Sequence, residues 1–371
     1  MIRLMMDRPH FFDLTPERLA QQVSDWGMPS FRAKQILQWV YRHNIIDPQA
    51  MTNIPAHERD LLSQRLCFLK GSIVHHQQAT DGTQKLLVDW SMPMATSDVA
   101  LPMLSQSDTQ TECVMIPAQA RRTACISSQI GCPVGCKFCA SGLGGLDGNL
   151  TTGQIVEQVW QLNQLPQVDR ISNVVFMGMG EPLSNFDAVT GALRTLNADW
   201  GLGIAARRIT VSTVGLPAQI RRLAELEMPI TLAISLHAPN DEIRRQIIPW
   251  AQFVSMDQLI DAGRFYFDRT GREVTLEYIL LGQLNDQPEH AHALAKVAQR
   301  LRSHINLIQY NEVAGLPYRR PQTQDVEQFQ AILRGHHVNT HIRASRGRDI
   351  AAACGQLRHE HADRSAKSQK E

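Results

Sequence analysis

The first 70 residues place apolar side chains at helical spacing. This pattern predicts one helix that begins at Thr15-Pro16 and ends before Gly27, a second helix after Ser30, and a third over residues 57–69. The apolar residues that define one face of the first two helices are Leu19, Val23 and Trp26, then Ile36, Leu37, Val40 and Tyr41. These short elements indicate a small helical module.

Strand-like and helical segments alternate from residue 121 to residue 333. The six strand candidates are 123–128, 173–177, 208–212, 231–236, 274–280 and 305–309. Between them, Thr151-x-x-Gln154 matches a capping box, and residues 286–301 and 324–333 are predicted as later helices. The alternation predicts an α/β fold in which a parallel sheet curves into an open, partial (β/α)6 barrel, with functional groups at the strand carboxyl ends. A flat doubly wound sheet is the structural alternative.

Two strand-like runs, 85–90 and 112–117, flank a polar loop around residues 105–111 and would connect the helical module to the barrel. The residues from Arg358 onward are polar and charged, which indicates a disordered tail. The predicted division therefore has four parts: a helical accessory module over 1–80, a β-rich connection over 81–117, the barrel core over 118–350, and a C-terminal segment with the tail over 351–371.

The composition fits a folded protein with one large core and a smaller module, since 43% of the 371 residues are apolar. No run of about 18 uncharged apolar residues occurs, and the N-terminus lacks the apolar segment and cleavage site of a secretory signal. We therefore expect a cytoplasmic protein with no membrane partner.

The net charge of +1 gives no global electrostatic case for a nucleic-acid partner. Arginines nevertheless recur in pairs, which are predicted to be solvated helix faces or salt-bridge partners. The arginines in question are Arg121-Arg122, Arg207-Arg208, Arg221-Arg222, Arg244-Arg245 and Arg319-Arg320, with Arg343, Arg346 and Arg348 near the end.

The cysteines are seven in number, and four of them lie within fifteen residues. An odd number with such clustering is typical of a metal site in a reducing compartment and not of a secreted disulfide framework. The seven are Cys67, Cys113, Cys125, Cys132, Cys136, Cys139 and Cys354.

The strongest chemical signal is the spacing of Cys132, Cys136 and Cys139, directly after the first predicted barrel strand. Iron–sulfur clusters are held by thiolates, normally four, so three clustered cysteines leave one iron without a protein ligand and open to chemistry. Zinc would take a fourth cysteine or histidine at finger-like spacing, and the histidines lie far away in sequence. The pattern favours a [4Fe–4S] cluster.

This C-x3-C-x2-C motif, with the aromatic Phe138 before its last cysteine, resembles the radical S-adenosylmethionine (SAM) superfamily. The resemblance implies that the open iron chelates the amino and carboxylate groups of SAM and reduces SAM to a 5′-deoxyadenosyl radical. The segment Gly178-Met-Gly-Glu181 follows the second predicted strand, as the SAM-amine motif of that superfamily does. Taken alone, such glycines would indicate only a tight turn.

The stretch from Glu112 to Leu357 is similar, more narrowly, to the RlmN/Cfr family of RNA adenosine methyltransferases. The matching segments are Cys125-Ile-Ser-Ser-Gln-Ile-Gly, Ser235-Leu-His-Ala-Pro-Asn240 and Arg346-Gly-x-Asp-Ile-x-Ala-Ala-Cys354-Gly-Gln-Leu357. The resemblance implies that Cys354 becomes S-methylcysteine, that Cys125 resolves a covalent protein–RNA adduct, and that Glu112 accepts a proton. The residues that it implies in SAM contact are Gly180, Glu181, Ser212, Ser235, Leu236, His237 and Asn311.

The chemistry explains why two cysteines outside the cluster would be needed. Carbon 2 of adenine is electron-poor and does not displace the methyl group of SAM, whereas a thiolate accepts it directly. A radical formed from a second SAM would activate the methyl group on Cys354 for addition to the purine. Attack by Cys125 on the Cys354 sulfur would then release the product and leave a transient disulfide bond.

We therefore expect a radical SAM methyltransferase that uses a [4Fe–4S] cluster and two SAM molecules per turnover to methylate carbon 2 of an adenosine in 23S ribosomal RNA, with transfer RNA as a further substrate. The expected partners are these RNAs, which the resemblance implies are held in part by the helical accessory module over 1–80, and an electron donor such as flavodoxin or ferredoxin. Methylation at carbon 8 and a radical SAM enzyme for a small molecule or peptide are the enzymatic alternatives. A redox-sensing or RNA-binding iron–sulfur protein is the non-enzymatic one.

Overall fold

The computed structural model describes residues 8–91 and 109–357. At the start of the first helix, the Thr15 hydroxyl accepts a hydrogen bond from the Arg18 N–H (3.3 Å), which confirms the predicted cap. The third helix ends earlier than predicted because the backbone of Cys67 forms hydrogen bonds with the segment that precedes the first helix. The three helices of this module are α1 (Pro16–Asp25), α2 (Arg32–Tyr41) and α3 (Ala56–Arg65).

A buried ion pair ties the helical module to the first barrel helix, α4 (Thr152–Asn163). The His10 Nε2 atom lies 2.8 Å from the Glu157 carboxylate, and both side chains are fully buried. Glu157 also accepts hydrogen bonds from the backbone N–H groups of Lys70 (2.9 Å) and Gly71 (2.8 Å). Burial lowers the pKa of His10, but its hydrogen bonds with two neighbouring carboxylates outweigh burial and raise that pKa above 6.5.

Replacement of this carboxylate should destabilise the protein strongly. Glu157→Ala leaves His10 and two backbone N–H groups without their acceptor, so we expect a loss of about 3–5 kcal/mol in the free energy of unfolding. Urea denaturation measures it, with Gln164→Ala, an exposed residue just after the same helix, as the control. Because the folded-state pKa of His10 is raised, the contribution is complete below pH 6.5 and declines as the pH rises through that pKa. An equal effect of both variants, or an effect that grows in alkaline buffer, would contradict this role.

Ten strands form one mixed sheet in the order β1-β2-β3-β4-β7-β8-β9-β10-β11-β12, and β5 and β6 form a separate antiparallel pair. In this sheet each neighbouring pair from β4 through β7 to β12 is parallel, whereas the neighbouring pairs from β1 to β4 are antiparallel. The strands are β1 (Ser72–Gln78), β2 (Gln84–Asp89), β3 (Gln110–Ala118), β4 (Arg121–Cys125), β5 (Gln129–Gly131), β6 (Leu146–Asn149), β7 (Asn173–Phe176), β8 (Ile209–Thr213), β9 (Thr231–Ser235), β10 (Val274–Leu280), β11 (Ser303–Gln309) and β12 (Thr340–Arg343).

Helices follow the parallel strands, and α4 begins with the predicted capping box between Thr151 and Gln154. The remaining helices are α5 (Phe186–Asn197), α6 (Pro217–Ala224), α7 (Asp241–Ile247), α8 (Met256–Thr270), α9 (Pro288–Ala298) and α10 (Thr323–Gly335). Within the two described ranges, no helix combines the length and apolarity that crossing a bilayer requires.

The predicted α/β class and parallel sheet are confirmed, with two differences in the strands. The six candidates correspond to β4 and β7 to β11, and β12 adds a seventh parallel strand that the sequence analysis missed because its four residues are mostly polar and half of them are exposed. Strand β1 lies inside the region predicted to be helical, since this exposed edge strand offers no buried alternation. Residues 105–108 of the predicted loop and the tail from Arg358 lie outside the described residues.

The C-terminal segment is held against the sheet by the turn between β1 and β2. The Asp349 carboxylate accepts a hydrogen bond from the Thr80 N–H (2.9 Å), and the Asp81 carboxylate accepts one from the Gly347 N–H (3.1 Å). Farther along, the Ala140 N–H donates to the Gly355 carbonyl (2.8 Å). These contacts place Cys354 next to the loop that follows β5.

Candidate active site

The carboxyl ends of the parallel strands surround a cavity, where the barrel topology leads one to expect a site. Most of the predicted residues line it, namely Cys132, Cys136, Cys139, Gly180, Glu181, Ser212, Ser235, His237 and Cys354. An adjoining cavity is lined by Cys125, Asn311 and again Cys354. Leu236 lines neither cavity, because its side chain is fully buried. Cys354 is thus the predicted residue common to both cavities.

The three clustered cysteines lie on a loop that leaves β5 and packs against the end of α7. The backbone turns sharply at Gly135, whose φ of +67° favours glycine. Burial raises the pKa of Cys132 to about 12. Burial and the two neighbouring thiols raise the pKa of Cys136 well above its ordinary value. Thiols in such a setting stay protonated at neutral pH unless a metal centre compensates their charge.

The donor set fits an iron–sulfur cluster. Within residues 8–91 and 109–357, no group of three or more His, Cys, Asp or Glu side chains is arranged to hold a single metal ion. A four-iron cluster makes a different demand, because each of its thiolate ligands binds a different iron. Three cysteines on one loop, facing a cavity that also holds polar groups, meet that demand and leave one iron open.

The segment after β7 brings a carboxylate to the cavity wall. A Cβ on Gly178 would lie 2.7 Å from the Ile126 backbone, so this glycine permits the close approach of two chain segments. The buried Glu181 carboxylate accepts hydrogen bonds from the N–H groups of Val214 (2.7 Å) and Leu183 (3.0 Å). Burial raises the pKa of Glu181 to about 7. A carboxylate held in this way can meet the ammonium group of a ligand in the cavity.

The ring of His237 is neutral and fixed in orientation. Burial lowers its pKa to about 3, and the Arg244 cation acts in the same direction. Its Nδ1 atom accepts a hydrogen bond from the Ile279 N–H (3.1 Å), and Phe138 packs edge-on against the ring at a centroid distance of 5.1 Å. His237 therefore links the cysteine loop to the strand ends as an uncharged group.

Cys125, at the end of β4, faces the same small cavity as Cys354. Burial and the nearby Cys354 raise the pKa of Cys125 to about 12, against the opposing influence of Arg343. All seven cysteines are free thiols, so the predicted disulfide bond is absent from this structure. The physical reason is that such a bond would exist only after product release, in the oxidised form of the pair.

The predicted proton acceptor, Glu112, lines neither cavity. Its carboxylate lies 2.8 Å from the Lys85 ammonium group, and both side chains are about 5% exposed. The same ammonium group donates to the Ala351 carbonyl (3.3 Å), three residues before Cys354. Glu112 is thus connected to the C-terminal segment through Lys85.

Comparisons with known proteins agree with this geometry. Residues 126–295 match the Radical SAM superfamily, and residues 10–68 match the ribosomal RNA large subunit methyltransferase N-terminal domain. A probable dual-specificity RNA methyltransferase RlmN from Rhodopirellula baltica is 41% identical, over 94% of this chain and 90% of the relative. A protein of the same name from Prochlorococcus marinus is 45% identical over 92% of this chain and 94% of its own length.

This chain belongs to the RlmN family. A crystal structure of a radical SAM methyltransferase from Sphaerobacter thermophilus matches it with a TM-score of 0.87 and 39% identity, covering 94% of this chain and 99% of that one. The predicted enzyme class, a radical SAM RNA methyltransferase, is confirmed, as are the cofactors of the family, a [4Fe–4S] cluster and SAM.

This RlmN-family site also contains a charged residue that the sequence analysis listed only among the recurring arginines and did not assign to the site. Arg343, at the end of β12, contacts both cavities and donates to the Met177 sulfur (3.1 Å). It lies 3.8 Å from the buried Glu277 carboxylate, and the nearby Cys354 thiol raises its pKa. Recognition of β12 as a strand would have placed Arg343 at the barrel mouth. The expectation that the arginine pairs are solvated or form salt bridges was wrong for Arg244, which is fully buried and donates to backbone carbonyls.

Proposed function

We propose that this RlmN-family enzyme methylates carbon 2 of an adenosine in 23S ribosomal RNA, and also in transfer RNA, through an S-methylcysteine intermediate on Cys354. The observation that carries the proposal is the position of Cys354, which lines both the cavity of the cluster cysteines and the cavity of Cys125. A sulfur in that position can receive a methyl group from one side and be attacked by a thiolate from the other.

Cys132, Cys136 and Cys139 would hold the cluster, and the cavity residues Gly180, Glu181, Ser212, Ser235 and His237 would hold SAM, with Leu236 and Asn311 supporting the site from its margins. When bound, these cofactors would supply a methyl group for the Cys354 sulfur and then a 5′-deoxyadenosyl radical to take a hydrogen atom from that methyl group. Glu181 would orient SAM through its ammonium group, and His237, held neutral, adds no positive charge near the sulfonium.

The protein's own thiols complete the reaction. The activated carbon on Cys354 would bond to carbon 2 of adenine, which joins protein and RNA through a thioether, and the unpaired electron of this adduct would pass back to the redox centre that supplied the electron for SAM cleavage. Glu112 would accept the proton that leaves carbon 2, with Lys85 holding its carboxylate near the C-terminal segment. The Cys125 thiolate would then attack the Cys354 sulfur, so that an S–S bond forms as the S–C bond to RNA breaks, and the released carbon would take up a proton to become the methyl group on carbon 2. Arg343 lines both cavities, and its positive charge opposes the rise in the pKa of Cys125 that burial causes, which favours the thiolate form of that residue.

The substrate and partners follow from the depth of this site. An adenine base reaches it only from a single-stranded or flipped-out nucleotide. The helical module, which matches the N-terminal domain of ribosomal RNA methyltransferases, would hold the surrounding RNA. A cytoplasmic electron donor of the flavodoxin or ferredoxin type would reduce the cluster.

A methyl-transfer assay tests the substrate class. Anaerobically reconstituted enzyme receives SAM labelled in its methyl group, a reductant, and either 23S ribosomal RNA, transfer RNA or a protein-free extract of small molecules and peptides. We expect label in both RNAs after protease digestion and none with Cys354→Ala enzyme. Label in the extract with none in RNA would refute the proposed substrate.

Replacement of Glu181 should weaken SAM binding and leave the cluster in place. A charge-assisted hydrogen bond to the SAM ammonium group is worth about 1.5–3 kcal/mol, so Glu181→Ala should weaken affinity by roughly 10- to 150-fold. Equilibrium dialysis with the reconstituted protein measures the affinity, and iron analysis should give the wild-type content. Asp187→Asn, whose side chain is 94% exposed, is the control. Unchanged affinity for SAM would mean that the Gly-Met-Gly-Glu segment is only a structural turn.

A further inference from the structure

Arg244 is a fully buried cation that has one carboxylate, that of Asp241, among its electrostatic neighbours but forms no salt bridge with a described residue. It lies on α7 and is 0% exposed. Its guanidinium donates to three backbone carbonyls, those of Val214 (2.6 Å), Leu236 (3.3 Å) and Val254 (3.5 Å). Among the described residues, no carboxylate forms a salt bridge with it. An isolated buried charge is costly, so a fold that retains one is expected to hold a compensating negative charge nearby.

The cysteine loop packs against the end of the helix that carries this cation. The Lys137 N–H donates to the Ile247 carbonyl (2.9 Å), which fastens the loop to the end of α7. A Cβ on Gly135, the residue before Cys136, would lie 3.9 Å from the Pro249 side chain, so the loop also lies against the chain that follows α7. Burial lowers the pKa of Arg244 to about 10, so the guanidinium remains charged at neutral pH.

Arg244 does not line the cavity in which SAM and the adenine would react. It lies behind the cavity wall, and Val214 separates it from Glu181, because the Val214 N–H donates to Glu181 while the Val214 carbonyl accepts from Arg244. Its backbone contacts hold the ends of β8 and β9 at a fixed distance from the cysteine loop. Arg244 is therefore placed to act on the cysteine loop through its fixed charge, and it is not placed to contact a ligand in the cavity.

We propose that Arg244 is the counter-ion of the iron–sulfur cluster and raises its midpoint potential. This inference rests on the proposed placement of the cluster on Cys132, Cys136 and Cys139. A [4Fe–4S] centre with three thiolate ligands is anionic and gains a further negative charge on reduction, so a nearby buried cation stabilises the reduced form more than the oxidised form. Arg244 would therefore act on electron transfer through the cluster, without touching the substrate or SAM.

The test is a redox titration of the full-length, anaerobically reconstituted protein without SAM, followed by electron paramagnetic resonance of the reduced cluster. At a fixed potential, Arg244→Gln should lower the ratio of reduced to oxidised cluster at least tenfold, which is a shift of 59 mV for a one-electron couple. Arg244→Lys keeps the charge and should retain most of the wild-type ratio. Arg245→Gln, an exposed neighbour on the same helix, should leave the ratio unchanged.

Iron content and circular dichroism of each variant complete the test. A folded Arg244→Gln protein that loses its iron, together with an Arg244→Lys protein that keeps it, supports the same role through cluster affinity. The proposal is overturned if Arg244→Gln binds the cluster at the wild-type potential, if the glutamine and lysine variants shift equally, or if both variants unfold. Absence of a cluster in the wild-type protein would instead refute the placement on the three cysteines.

Discussion

Cys125→Ala protein produced in cells should carry RNA covalently attached to Cys354. This variant retains the sulfur that receives the methyl group, so it should proceed as far as the thioether with adenine. It lacks the thiolate that attacks the Cys354 sulfur, and no other cysteine lines the small cavity that these two share. The adduct should therefore be nearly absent from the wild-type protein and present on a large fraction of the Cys125→Ala protein.

Denaturing electrophoresis with and without nuclease detects the adduct, and peptide mass spectrometry locates it. Cys113→Ala is the matched control, because Cys113 is also buried and lies on the strand next to Cys125 but lines neither cavity. The double variant Cys125→Ala/Cys354→Ala should carry no RNA. Normal turnover by Cys125→Ala, or an adduct that persists without Cys354, would rule out the methylcysteine route.

Cys136→Ala should abolish reductive cleavage of SAM. With one of three protein ligands removed, the cluster loses a bond that no other described side chain is placed to replace, and we expect activity to fall to the background of the assay. Iron and sulfide analysis should show close to four of each in the wild type and far fewer in the variant. Chromatography of 5′-deoxyadenosine measures the cleavage.

Cys67→Ala serves as the control, since Cys67 lies in the helical module and its thiol donates to the Leu69 carbonyl, away from the cavity. Full SAM cleavage by Cys136→Ala, or a wild-type protein that binds stoichiometric zinc and no iron, would refute the cluster assignment.

The sequence predicted those parts of the structure that depend on local pattern. Strand β10 matches its predicted range because seven consecutive residues, all buried, form it, and the cap at Thr151 lies where the spacing indicated. Strand β12 was missed because only four residues form it and its position depends on pairing with β11. The burial of Arg244 could not be predicted from local pattern either, because its three carbonyl partners lie in separate segments of the barrel.

The site itself is a product of long-range contacts. The cysteine spacing identified one loop, but the meeting of that loop with Cys354 depends on hydrogen bonds between residues more than 200 positions apart, such as that from the Ser141 hydroxyl to the Leu357 carbonyl (2.8 Å). The role proposed for Cys354 came from the family resemblance and not from its spacing in the sequence. The structure adds that Cys354 and Arg343 both line the two cavities.

The most direct test of the central claim is nucleoside analysis of 23S ribosomal RNA from cells that lack this gene and from the same cells after it is restored. Digested RNA is separated by liquid chromatography and identified by mass spectrometry against synthetic 2-methyladenosine and 8-methyladenosine. The account predicts 2-methyladenosine in the restored cells, its absence without the gene, and its absence when the restored gene encodes Cys354→Ala. Appearance of 8-methyladenosine in its place, or identical nucleosides in all three cultures, would contradict it.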